Sequence, residues 1–147
     1  MTSHEAPLNY LQRVTDRVSR LGDPNDMATP CALLTIAEFF EGNNCIGSIG
    51  CNLSPIPAPK RFYEFFAQIA ARTDVKDIRV QITAFDDPEW PFSETVYIMT
   101  SASPDEVASW FEDDIRPDEV SEGFRPGVAH EPYEIPLGTR PVLCWWD

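Results

Sequence analysis

Two short runs of alternating side chains, set either side of an acidic stretch containing two prolines, constrain this chain more than any other feature. In the first run Ile78, Val80, Ile82 and Ala84 alternate with Arg79, Gln81, Thr83 and Phe85, and in the second Val96 and Ile98 alternate with Thr95, Tyr97 and Met99. A period of two belongs to a strand with one dry and one wet face. Both runs are rich in β-branched and aromatic residues and are bounded by Asp and Pro, so an antiparallel hairpin of strands near 77–85 and 94–101 is the economical pairing. The connection, Asp86-Asp87-Pro88-Glu89-Trp90-Pro91-Phe92-Ser93, is too long for a tight turn and sets two aromatics among three acids.

Helices are marked by their ends. Thr35 and Glu38 form a capping box ahead of a short helix over Ile36–Glu41, which Gly42 stops. Ser103 and Glu106 form a second, with Pro104 at the first helical position, for a helix over 103–114 buried through Val107, Trp110 and Phe111. Phe62, Phe65, Phe66 and Ile69 give the segment 60–72 one broad apolar face, and Leu11, Val14, Val18 and Leu21 give residues 7–21 a narrower one. Glu112-Asp113-Asp114 stands where a helix C-terminus disfavours acid, a local rule broken in a way that hints at use. Cys45–Leu53 reads as a strand in its latter part, with Ile49, Cys51 and Leu53 on one face and Gly47 and Gly50 permitting a bulge. Its GSIG lacks the Lys-Ser/Thr ending of a phosphate-binding loop.

A chain of 147 residues with 43% hydrophobic content can bury one core, so we read 1–147 as a single α+β domain. Residues 1–30 form an N-terminal helix and linker extension, and 116–140 a long loop with prolines at 117, 126, 132 and 136. The remaining order, strand 48–53, helix 60–72, strand 77–85, strand 94–101, helix 103–114, strand 141–146, is βαββαβ. That is the ferredoxin-like arrangement, a four-stranded antiparallel sheet with two helices on one face. The other face would present Arg79, Gln81, Thr83, Tyr97 and Met99 unless the N-terminal helix covers it.

No apolar run spans a bilayer and the first residues do not form a signal peptide, so a cytoplasmic location with reduced Cys31, Cys45, Cys51 and Cys144 is expected. The spacing of Cys45 and Cys51, with Cys144 or His130, does not match a zinc hook; we expect no metal, no cofactor and ordinary buried cysteines. Residues 86–147 hold fifteen acids against Arg116, Arg125 and Arg140, a net of −12 out of −13 for the chain. Such a surface repels nucleic acid and anionic lipid and steers a basic partner.

The stretches EFFEGNNCIGSIGCNL (38–53), DDPEWPFSETVYIMTSASPDEVASW (86–110) and the terminal WWD (145–147) resemble a family of small, acidic, uncharacterised bacterial proteins. In size, acidity and α+β character the chain is also similar to immunity proteins of bacterial toxin systems. The resemblance implies a bacterial, cytosolic protein and brings no catalytic residues. The expected function is a protein-binding module of the immunity or inhibitor type, acting on a basic partner such as a toxin or nuclease. Its contact residues would be Asp86, Asp87, Glu89, Trp90, Phe92, Glu112, Asp113 and Asp114, acids for steering and aromatics for anchoring. The alternatives are a dimeric small-ligand or regulatory domain, and a cysteine-dependent enzyme pairing Cys144 with His130; the second histidine, His4, lies near the N-terminus.

Overall fold

The computed structural model describes residues 5–147; His4 lies outside them. In chain order the elements are α1 (Glu5–Ser19), β1 (Leu33–Thr35), α2 (Ile36–Phe40), α3 (Pro59–Ala70), β2 (Val75–Gln81), β3 (Thr95–Thr100), α4 (Pro104–Trp110), a 3-10 turn (Asp113–Ile115), β4 (Glu119–Glu122) and β5 (Arg140–Trp145). The expected hairpin is present: β2 and β3 pair antiparallel, with Ile78 opposite Ile98 and Val80 opposite Val96. Both capping boxes close as well, Thr35 with Glu38 and Ser103 with Glu106.

The sheet is five-stranded and antiparallel, in the order β1-β2-β3-β5-β4, and not the four-stranded ferredoxin-like sheet that the element order suggested. The difference has a local cause. Residues 48–53 form turns: Gly47 and Gly50 sit at φ +97° and +67°, and a Cβ on Gly50 would come 2.6 Å from the Phe62 ring. The alternation of Ile49, Cys51 and Leu53 thus belongs to a turn pressed against α3. In place of that strand the sheet uses β1, three residues whose last, Thr35, opens a capping box, and β4, which lies inside the segment expected to be one long loop.

One face of the sheet carries α3 and α4. There Phe62 and Phe111 meet Trp146 nearly edge-on at 5.8 and 6.0 Å between ring centres, and the Trp146 Nε1 donates to the Ile115 carbonyl. Val14 and Val18 of α1 join this core, so α1 belongs to the domain and its apolar stripe is covered at home. Arg17, on the same helix, is buried and bridges α1 to Glu38, to the Leu33 carbonyl and to Glu131.

The second face, expected to be wet or covered by α1, is covered by residues 124–133. Tyr97, Met99 and Leu143 are buried beneath Phe124 and Tyr133. Gln81 is 3% exposed and accepts a hydrogen bond from the Tyr97 hydroxyl at 2.9 Å. A buried amide is tolerated here because a donor was brought to it.

Candidate functional site

Strand register decides which loops share an end of the sheet. Gln81 lies opposite Thr95, Thr95 opposite Trp145, and Trp145 opposite Glu119. The β2–β3 connection, the segment entering β4 and the chain after β5 therefore all emerge at one end. The first brings Asp86, Asp87, Glu89 and Glu94, the second Glu112, Asp113, Asp114 and Asp118, and the third Asp147. The two groups of acids singled out in the sequence thus sit at a common end, reached through different elements.

Their surroundings differ. Arg61 donates to both carboxylate oxygens of Asp114 at 2.9 and 3.0 Å and to Glu112 at 2.8 Å, while Arg116 pairs with Asp113 at 2.7 Å. The hydrogen bonds from Arg61 hold the Asp114 carboxyl below the usual carboxylate range. Helix α4 ends at Trp110, so these acids occupy the first turn of the 3-10 segment and not the end of a helix over 103–114. Acid is favoured there, and the broken rule disappears. Asp86, Asp87 and Glu89 are exposed, and among the described residues no salt bridge reaches them.

The loop that carries those three is held firmly. Trp90 is 3% exposed and its Nε1 donates to the Phe39 carbonyl at 2.9 Å, so it is a plug beneath the loop and not a surface anchor. Phe92, half-buried, exchanges backbone hydrogen bonds with Ala84, and the Ser93 N–H donates to the Ser48 carbonyl at 2.8 Å. This last bond ties the loop to residues 43–50, where buried Asn43 donates to the Ser48 hydroxyl at 3.0 Å and accepts from the Cys45 N–H at 2.9 Å. Between the two segments lies a cleft of about 230 Å³ lined by Cys45, Ile46, Ser48, Asp86, Asp87 and Phe92 among others. Burial, with Asp87 and Glu89 close by, pushes the Cys45 thiol up.

Ile46 and Ser48 were not singled out in the sequence, and Cys45 was weighed only for a zinc set with Cys51. Residues 45–53 read as an irregular strand and 86–93 as an acidic connection, and nothing in the sequence links positions some forty residues apart. The cysteines are not uniformly buried either: Cys144 is, Cys31 and Cys45 are half-buried, and Cys51 is exposed. Cys144 and His130 do not meet. Cys144 belongs to the helix-side core, where burial pushes its thiol up, whereas His130 packs on Phe124 over the opposite face of the sheet. A nucleophile needs a base within hydrogen-bond reach, and this pair is divided by the sheet. The same division keeps Cys144 from sharing a metal with His130.

These features define a small, acidic α+β protein with a five-stranded antiparallel sheet and a carboxylate-rich end. The chain belongs to the family described as the uncharacterized protein YfbO family, whose model matches residues 9–144. It is 47% identical over 137 residues to the "Uncharacterized protein YfbO" of Escherichia coli (strain K12), an alignment covering 93% of this chain and 98% of that relative. The expected likeness to an uncharacterised bacterial family is thereby met. No solved structure matches the chain. No helix among the described residues is long and apolar enough to cross a membrane.

Proposed function

We propose that this chain is a cytoplasmic protein-binding module of the immunity or inhibitor type that receives a basic partner on the carboxylate-rich end of its sheet. The observation that carries this reading is the contrast within that end. The acids at 112–114 are paired with Arg61 and Arg116, whereas Asp86, Asp87 and Glu89 stand exposed on a loop held by Trp90, without a salt bridge among the described residues. Carboxylates left without a counter-ion on a preorganised loop steer a cationic protein at long range and pair with it on contact. Ile46, 62% exposed at the rim of the cleft, and Phe92 supply apolar contact in place of Trp90.

The alternative, a dimeric ligand-binding or regulatory domain pairing through an open sheet face, has less to stand on, because Phe124 and Tyr133 cover that face.

The test is capture of the tagged chain's partner from its host lysate, followed by binding kinetics with the wild type and with D86K/D87K/E89K. A basic partner whose association rate falls at least about tenfold in the triple variant, and whose binding by the wild type weakens with salt, is the expected result. A partner that associates with both proteins at equal rates, whatever the salt, would refute the assignment.

A further inference from the structure

Beside the cleft, the Cys45 thiol and the Asp87 and Glu89 carboxylates each place one donor atom within 4.8 Å of the other two. The three come from two separately anchored segments. The Cys45 N–H is held by the Asn43 side chain, and the Glu89 N–H by the Asp87 carboxylate at 2.8 Å, with Trp90 plugged beneath. This is a mixed set, one sulfur and two oxygens. Magnesium and calcium take oxygen ligands, while a thiolate selects a borderline or soft ion.

We propose that Cys45, Asp87 and Glu89 bind one borderline divalent cation of the zinc type, with a water from the cleft side as the fourth ligand. Zn–S near 2.3 Å and Zn–O near 2.1 Å put tetrahedral donors about 3.4–3.6 Å apart. The donors must therefore draw in by at most about 1.2–1.4 Å, which the exposed Asp87 and Glu89 side chains achieve by rotation about their own χ angles. On binding, the Sγ–H bond breaks, the Sγ–metal bond forms and the proton passes to solvent. The inference rests on the donor geometry and not on the docking reading: a bound ion would compensate Asp87 and Glu89 and leave Asp86 as the free acid of the loop, so the docking reading applies to the metal-free chain, and the cobalt test needs no partner.

The experiment is titration of the reduced full chain with cobalt(II), read by thiolate-to-cobalt charge-transfer absorption, then displacement by zinc. The wild type and C51S, which changes the exposed cysteine outside the cluster, should saturate at one equivalent. C45S should lose the absorption, and D87N and E89Q should each raise the Kd at least about tenfold. Absence of the band in the wild type, its survival in C45S, its loss in C51S, or unchanged affinity in either carboxylate variant would each overturn the site. D87N and E89Q alter exposed side chains, so the test stands even if C45S folds poorly.

Discussion

Replacing Trp90 separates a structural plug from a surface anchor. In W90F the ring still fills most of its pocket, but the Phe39 carbonyl loses the donor that reaches it at 2.9 Å. An orphaned buried acceptor costs about 1–3 kcal/mol. In W90A the lost transfer energy and the cavity together cost about 3–5 kcal/mol, the range seen for large aromatics removed from cores. A domain of this size loses roughly 2–4 °C in Tm per kcal/mol, so W90F should melt about 2–12 °C below the wild type and W90A further still. The assay is urea unfolding followed by far-UV circular dichroism, with thermal melts beside it; both variants should lower the urea midpoint, in the order W90F then W90A. The loop acids are not touched, so this loss is independent of any partner. If W90A unfolded at the wild-type midpoint, Trp90 would not be a plug, and the claim that Asp86, Asp87 and Glu89 ride on a preorganised loop would fall with it.

Two further outcomes follow from the same geometry. Asp114, whose carboxyl is lowered by the Arg61 hydrogen bonds, contributes stability that is present above the ordinary carboxylate pKa and is lost as pH falls through its lowered folded value. R61A should therefore cost no more than about 1 kcal/mol at neutral pH, the pair being partly exposed at 29% and 53%, and should shrink the acid-side loss of stability measured by unfolding between roughly pH 5 and pH 2. Alkylation with iodoacetamide followed by peptide mapping should modify exposed Cys51 first and leave Cys144 unmodified until the protein unfolds; rapid native modification of Cys144 would contradict its burial.

What was legible in the sequence was local. The hairpin announces itself because one face of each strand repeats every second residue, and the two capping boxes because their partners stand three positions apart. The helix faces of α3 and α4 follow from the same short-range periodicity. What was illegible was carried by elements too short to show a period. Leu33–Thr35 has three residues and Glu119–Glu122 only four, two of them acids at its ends, so neither resembles a strand until β2 and β5 pair with it. The converse error arose at 48–53, where alternation was present but two glycines at positive φ, one pressed against Phe62, bend the chain into turns. Tyr97 and Met99 alternate onto a face that looked wet because the residues covering it, Phe124 and Tyr133, lie in a proline-rich stretch without periodicity of its own.

The amino-acid sequence by itself determined the α+β class, the central hairpin, the capped helix starts and the concentration of acid in residues 86–147, since each depends on neighbours within a few positions or on composition. Only the tertiary structure decided where that charge acts. Strand order and register choose which connections share an end of the sheet, and they bring 86–89 and 112–114 to a common end while Arg61 and Arg116 neutralise the second group alone. Alternation along β5 turns Cys144 to the helix side while the 124–133 segment carries His130 over the other face, and the packing of the 43–50 turn against the hairpin loop brought Cys45 to Asp87 and Glu89. These are contacts between residues tens of positions apart, formed by burying apolar surface that no local pattern encodes.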